Sequence, residues 1–394
     1  MKKRVLVLSS RVPYPLIGGD RVRIYNFSRV LSQEYAVDLL AIDDVGVGEA
    51  VLKSLEAVFD NVMLFRTNRA RLAANAAAGL LSRHPLQVAG YQLGSVRRWI
   101  TRHFDQYQLL FCNHIRMAEY VRHLPCAKVL DFHDAISMNY ADAISKAKGF
   151  WKAFYTLENR RLLPYEIGVL GDFDKSLITA KLDKEHLLRH AGFDADIEVV
   201  PMGVSETAFG RPAVREEENW IALSGRMDTY PNEAAAVLFA ETVFPGLRKA
   251  NSSLKFLVVG AYPSRKVRAL ALIPGVQVTG LVPDPYYYLE RAKVVVAPMK
   301  LGAGIQNKVL EGMALGKAVV TTPMGAQGVD GEDGQHFVVA DDVTAMAEKI
   351  TWLLDDPVAR MRLGQSAREL VNAQYTWERI GARLLREVHE VCKP

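Results

Sequence analysis

The chain is short of cysteine, of long apolar runs and, over one stretch, of acid. Its three cysteines, Cys112, Cys126 and Cys392, lie far apart. They offer neither a disulfide framework nor the close pairs of a zinc site, which points to a reducing cytoplasm. The longest apolar run, Leu72 to Leu81, is interrupted by Asn75 and falls well short of a membrane span. After a basic N-terminus, only Val5 to Leu8 precede Ser9 and Ser10. That is too short for the core of a signal peptide and suits a first strand. No Gly-x-Gly-x-x-Gly follows that strand, which disfavours a dinucleotide cofactor and a dehydrogenase. From Asn61 to Phe104 there is no Asp or Glu, whereas Arg66, Arg69, Arg71, Arg83, Arg97, Arg98 and Arg102 all fall there. This Arg66 to Arg102 block suits an anionic membrane surface or an acceptor phosphate, and would equally serve as a solvated basic face. No nucleic-acid-binding module accompanies it, so nucleic acid is not an expected partner.

What is present is the material of a globular protein. Its 394 residues are 49% hydrophobic and 24% charged, with a net charge of +5, and this length implies two domains. Short β-branched runs alternate with helical patterns, as in a parallel sheet. Arg4 to Ser9, Val37 to Ile42, Leu109 to Cys112, Lys128 to Phe132, Leu177 to Thr179 and Ile197 to Val200 read as strands. Asp20 to Glu34 reads as an amphipathic helix with Val22, Phe27, Val30 and Leu31 on its apolar face. Pro201-Met-Gly-Val204 breaks the pattern, and the polar, acidic stretch Arg211 to Asn219 reads as a linker. A second alternation follows. Strands are expected at Trp220 to Ser224, Phe256 to Val259, Val276 to Val278, Val294 to Ala297, Ala318 to Thr321 and Phe337 to Val339, with a helix over Glu233 to Leu247. The expected fold is α/β: two doubly wound parallel-sheet domains, residues 1–204 and 205–375, facing a cleft. A final helix over 376–394 crosses back to the first.

The segment most informative about function runs from Ala297 to Thr322, APMKLGAGIQNKVLEGMALGKAVVTT. It reads as a strand end, a loop bared by Gly302 and Gly304, a helix and another buried strand. Lys308 and Glu311, three residues apart, share one helix face. Open amides at a helix start suit a phosphate, and a carboxylate one turn on suits a diol. Together these describe a nucleotide sugar, although an ordinary βαβ crossover with a surface ion pair has the same outline. Gly18-Gly19, just before the first helix, would let backbone amides approach a phosphate or simply make a tight turn. Val129-Leu-Asp-Phe-His133-Asp134 ends an apolar strand in polar groups at the edge where open α/β sheets bind ligands. His133 could donate to a reacting sugar, and His114, after the preceding strand, is a second candidate; a structural role fits either. Arg226, past a strand and Gly225, is placed to grip a diphosphate or to cap the strand. Asp172-Phe-Asp174 and Asp194-Ala-Asp196 match a short metal-holding pattern, but neither follows a strand tip, and both read as turn residues.

Taken together these segments resemble the retaining glycosyltransferase family 4 of the GT-B fold, over nearly the whole chain. The carriers are the Gly18-Gly19 loop, Leu-Asp-Phe-His133-Asp, Val200-Pro-Met-Gly-Val204, Ser224-Gly225-Arg226, Gly280-Leu-Val282-Pro-Asp284 and Glu311-Gly-Met-Ala-Leu-Gly316-Lys-Ala-Val-Val. Ser224 to Asn232 is similar to a subgroup linked to exopolysaccharide assembly. The resemblance implies a nucleotide-diphosphate sugar donor, a glycan or lipid-linked acceptor, no cofactor and no metal. It assigns catalytic roles to His133, Arg226, Lys308 and Glu311. It assigns donor contacts to Gly18, Gly19, Gly225, Val282, Gly302, Ala303, Gly304 and Ile305. Val282 belongs to the loop that holds the base, and Glu311 would hold the ribose.

Two departures stand out. Where the family has a first glutamate contacting the donor sugar, the chain has Ala303, so that contact would come from loop amides around Gly302 to Ile305. Where the family has a lysine five residues after the clamp arginine, the chain has Pro231, and Lys308 would supply the charge. The departures leave room for two rivals: a nucleotide-sugar epimerase on the same fold, and a non-catalytic nucleotide-sugar-binding subunit. The expected location is the cytoplasm, including the inner face of the cytoplasmic membrane.

Overall fold

In the computed structural model, residues 2–211, 216–301 and 304–393 are described. Contacts divide the chain into two compact units: Met1–Pro201 together with Gly381–Pro394, and Met202–Ile380.

The first unit is built on seven parallel strands among the described residues: β1 (Arg4–Ser9), β2 (Ala36–Asp43), β3 (Asn61–Arg66), β4 (Leu109–Asn113), β5 (Lys128–His133), β6 (Lys175–Ile178) and β7 (Ile197–Val199). Their spatial order is β3-β2-β1-β4-β5-β6-β7. The order reverses between β1 and β4, the switch point outside whose C-terminal edge such sheets bind ligands. Central strands covered on both faces are apolar throughout: Val5 to Leu8 and Leu109 to Cys112 are buried. β3 has no counterpart among the expected strands. It is an edge strand inside the acid-free block, with its residues half-buried or exposed, so its apolar signal is diluted by Asn61 and Arg66.

One polar contact in this core explains an otherwise costly burial. Arg23, on the helix Gly19–Leu31, is fully buried and forks onto both carboxylate oxygens of Asp131 at 2.8 Å. Its remaining nitrogen donates to the carbonyls of Val200 and Pro201 at 2.7 and 3.0 Å, and the guanidinium lies 4.2 Å from the Phe27 ring centre. A buried ion pair is tolerated when its spare donors are satisfied in this way. The end of the final helix, Trp377–Val391, also belongs to this unit. Leu384 and Val388 are buried, Gly381 leaves no room for a Cβ against Val30, and Lys175 is ringed by Asp196, Glu387 and Glu390 at 2.9–3.1 Å.

The second unit holds six parallel strands among the described residues: β8 (Glu218–Ser224), β9 (Lys255–Val259), β10 (Val276–Gly280), β11 (Ala292–Ala297), β12 (Ala318–Thr321) and β13 (Val338–Val339). The order is β10-β9-β8-β11-β12-β13, so the switch point falls between β8 and β11. The expected helix over Glu233 to Leu247 is segmented into Tyr230–Leu238, a π turn Phe239–Val243, and Phe244–Ala250. Pro245, which has no N–H to donate, accounts for the loosened ladder ahead of it. Helix Asn307–Ala314 packs tightly on β11 and β12 because residue 312 is glycine: a Cβ there would stand 2.9 Å from Val319 Cγ2 and 3.1 Å from Val295 Cγ1.

Candidate functional site

The residues singled out from sequence fall into two groups, each at the C-terminal edge of its own sheet. Gly18, Gly19 and His133 belong to the first unit. Gly225, Arg226, Val282, Gly304, Ile305, Lys308 and Glu311 belong to the second. Gly302 and Ala303 lie outside the described residues.

In the first group, Gly18 has φ 105°, a conformation that favours glycine, and no side chain caps the helix that starts at Gly19. Its first amides are therefore open to an anion. His114 and His133, at the ends of β4 and β5, both have left-handed backbones, with φ 73° and 67°. Such conformations cost energy in a residue with a Cβ and concentrate at functional sites. Their rings stand 6.5 Å apart. His133 Nε2 and His114 Nδ1 are buried without a hydrogen-bond partner among the described residues. His133 Nε2 is 3.8 Å from Asp131 Oδ2, on the carboxylate that Arg23 grips. His114 is held well below its ordinary pKa, by burial first and then by Arg116, His133 and Arg11, and is therefore neutral.

Buried carboxylates hold the turn beyond His133. Asp183 accepts from the Ala135 amide at 2.8 Å, and Glu166 accepts from Ile136 at 2.8 Å and Ser137 at 3.2 Å, capping helix Ile136–Lys146. Thr179 donates its amide to the His133 carbonyl and its hydroxyl to Asp134. Burial raises Glu166 to about 7.

In the second group, Glu311 and Lys308 sit on helix Asn307–Ala314, which follows β11. Ser224, the last residue of β8, donates its hydroxyl to Glu311 Oε2 at 3.4 Å, and Lys308 Nζ donates to Gln306 Oε1 at 3.3 Å. Two strands flanking the switch point thus contribute to one constellation. Burial dominates its electrostatics. It raises Glu311 to about 7, against the pull of Lys308 and the Ser224 bond, and lowers Lys308 to about 8, against the pull of Glu311. Tyr286, in the segment between β10 and β11, is also raised by burial and then by Glu311. Such mutually offset groups at a sheet edge make this constellation the candidate functional site of the second unit.

Beside them, Gly225 has φ 149°, and a Cβ there would meet Asn232 at 2.8 Å. Arg226 follows, but it is engaged: its fork grips both oxygens of Asp228 at 2.6 and 2.8 Å, and its guanidinium lies over Tyr262. Val282 is half-buried in the loop after β10. Gly304 takes φ 66°, and Ile305 and Gln306 are buried ahead of the helix. Ser224, Tyr262 and Tyr286 had no site signal in the sequence, because their partners come from other strands. Only Asp228, two residues from Arg226, had a local signal.

Both Asp-x-Asp segments have structural roles. Asp172 accepts from Arg122 at 2.6 Å, Asp174 from the Lys128 amide at 2.8 Å, and Asp196 pairs with Lys175 at 2.9 Å.

Known proteins share the fold and part of the sequence. Residues 218–356 match the family described as Glycosyl transferases group 1, a span containing Ser224, Arg226, Lys308 and Glu311. TarM of S. aureus superposes with a TM-score of 0.73 at 13% identity, covering 100% of this chain and 99% of the other. HepE of Anabaena, in complex with UDP-glucose, gives 0.67 at 13% identity, covering 98% and 99%. The fold is GT-B. An uncharacterised 44.6 kDa protein in the cps region of Klebsiella pneumoniae is 21% identical over 98% of this chain and 99% of its own length. In this GT-B chain each group includes residues beside a switch point: Gly18 and Gly19 after β1, and Ser224, Gly225 and Arg226 at the end of β8 with Lys308 and Glu311 on the helix after β11.

Proposed function

We propose that this protein is a retaining glycosyltransferase. It transfers a sugar from a nucleotide-diphosphate sugar to a glycan or lipid-linked acceptor, without a metal. The observation that carries the reading is the Ser224–Glu311–Lys308 constellation at the second switch point, inside the segment that matches Glycosyl transferases group 1.

Glu311 would accept from the ribose hydroxyls, and Val282 would line the base. Lys308 and Arg226 would meet the negative charge gathering on the departing diphosphate, and the family 4 resemblance assigns a donor contact to Gly18 and Gly19. Loss of one such preorganised donor costs roughly 10²–10³ in rate. Arg226 would exchange Asp228 for phosphate oxygens, with Tyr262 keeping its plane in place. Gly304 and Ile305 would turn their amides to the donor sugar in place of the glutamate absent at Ala303. His133 Nε2, buried with no hydrogen-bond partner among the described residues, would bond the sugar and ease the cationic ring in the transition state. Retention, with front-face attack by the acceptor, rests on the family 4 resemblance.

Binding of UDP-glucose by HepE makes UDP-sugars the first donors to try, and the cps-region relative supports a role in polysaccharide assembly. A peripheral site at an anionic membrane fits the exposed Arg66 and Arg69 of the basic block. It also fits exposed Phe150, Trp151 and Leu157 on helix Gly149–Leu170. No helix among the described residues is long and apolar enough to cross a membrane. Salt-sensitive binding to phosphatidylglycerol vesicles tests the membrane reading, and indifference to them removes it.

The deciding experiment is a donor screen with EDTA present, reading thermal shift, nucleotide release and the anomeric configuration of the product. One nucleotide that stabilises the protein and is released with retention upholds the proposal. Stabilisation without release, even with membrane extract as acceptor, indicates a binding subunit. An isomerised nucleotide sugar indicates an epimerase. No stabilisation by any donor removes the roles given to Arg226, Lys308 and Glu311.

A further inference from the structure

The edge of the seven-stranded sheet holds cations that the transfer chemistry leaves unused. Ser9 and Asn113 face each other in register on β1 and β4, and Asn113 Nδ2 donates to Ser9 Oγ at 3.4 Å. The loops leaving these strands therefore start side by side at the switch point. The first carries Arg11 and the second Arg116. Arg116 donates from Nε and Nη2 to Gln87 Oε1 at 3.4 and 3.3 Å and lies over the Tyr91 ring. Both bonds are long for a charged donor. Among the described residues no carboxylate comes within 4.0 Å of Arg116. Asp20, the acid of this corner, is instead 3.4 Å from Arg11. Burial above all pulls Arg116 below the ordinary arginine pKa; repulsion from Arg11 adds to this, and Tyr91, Asp20 and Tyr140 oppose it. Just ahead of it in the chain, His114 Nδ1 and Asn113 Oδ1 are buried with no hydrogen-bond partner among the described residues.

A desolvated guanidinium beside a second one is costly unless an anion joins them. Gln87 and Tyr91 orient Arg116 but do not neutralise it. A forked, rigid donor with no carboxylate in direct contact among the described residues is suited to a planar or tetrahedral oxyanion. The donor diphosphate already has Lys308 and Arg226 in the other unit.

We propose that Arg116 and Arg11 form an oxyanion subsite for the second substrate, whose acceptor end bears a phosphate or carboxylate. The proposal rests on the transferase reading for the identity of that substrate, but not for the existence of the subsite. The basic block Arg66 to Arg102 is not needed for it.

The test is titration of the full-length protein with inorganic phosphate, glucose 1-phosphate and glucose, followed by thermal shift and calorimetry, with and without saturating UDP. Phosphate and the sugar phosphate are expected to bind in both conditions, and glucose far more weakly. Arg116→Gln should weaken them roughly tenfold or more, the worth of a charge-assisted hydrogen bond, with UDP affinity unchanged. Arg116→Lys should lose less, and Arg11→Gln provides a second arm if Arg116→Gln folds poorly. Phosphate binding abolished by UDP would assign the anion to the donor and overturn the proposal. So would an Arg116→Gln protein that binds phosphate normally, or UDP binding with no response to either phosphate. Phosphate binding that depends on Arg116 in a protein indifferent to every nucleotide would uphold the subsite and overturn the transferase reading.

Discussion

Replacing Glu311 with Gln should make the unliganded protein more stable at pH 8 while weakening its grip on nucleotide. Burial raises this carboxyl from its ordinary 4.5 to about 7. A folded-state pKa above the unfolded one gives stability that is complete below about 4.5 and lost as pH climbs through about 7. The penalty for carrying the anion is about 3 kcal/mol at pH 8 and under about 1 kcal/mol at pH 5. Glutamine removes it. Lys308, already lowered to about 8 by burial, then loses its attraction to the carboxylate, which takes back part of the gain. A net gain of roughly 1–2 kcal/mol remains, about 3–6 °C in melting temperature for a unit of this size, and it shrinks toward zero at pH 5. Nucleotide affinity should move the other way. Losing charge-assisted bonds to a ribose diol costs about 1.5–3 kcal/mol each, so UDP, or whichever nucleotide the donor screen returns, should bind ten- to a hundredfold more weakly. In the wild type, affinity should decline below about pH 7 as Glu311 takes up its proton. Thermal melts at pH 5 and 8 with calorimetric titration would show both effects. A variant destabilised at pH 8, or one that binds nucleotide like the wild type, would refute the account of Glu311 as a functional carboxylate held at a cost.

Three further outcomes follow from particular contacts. Asp228→Asn should free the Arg226 fork and tighten nucleotide binding about two- to fivefold, the range expected of a partly exposed pair. Its salt dependence should steepen, and calorimetry at two ionic strengths would check this. Arg23→Met should cost about 3–5 kcal/mol by leaving Asp131 buried and unpaired, whereas adding Asp131→Leu should recover much of that loss in denaturant melts. Gly312→Leu should cost about 1–3 kcal/mol or more through overpacking against Val295 and Val319, measured in the same way, with nucleotide affinity falling as Glu311 is displaced.

Much of the fold was legible because buried parallel strands write themselves as uninterrupted apolar runs. Val5 to Leu8, Leu109 to Cys112 and Val294 to Ala297 are examples, each entirely buried. Asn61–Arg66 was not legible. An edge strand buries little, and its residues carry the composition of the surface they border. The π turn at Phe239–Val243 was hidden for another reason: the periodicity runs on through it, and only Pro245 marks the change.

The site divides along the same line. Lys308 and Glu311 could be paired by counting, because one helix carries both. Ser224, which bonds Glu311, could not, since the two meet only through the pairing of β8 with β11. Arg226 was readable as a cation after a glycine, but not as one already held by Asp228. The strained backbones of His114 and His133 left no trace in sequence, because nothing about histidine announces a positive φ. The cost appears only once β4 and β5 are laid side by side, with the His114 amide donating to the Asp131 carbonyl at 2.8 Å and Arg23 fixing the carboxylate beneath. A chain that spends a buried ion pair, two capping carboxylates and two strained residues on a single sheet edge has over-determined the position of one imidazole. That over-determination is the structural support for the role proposed for His133.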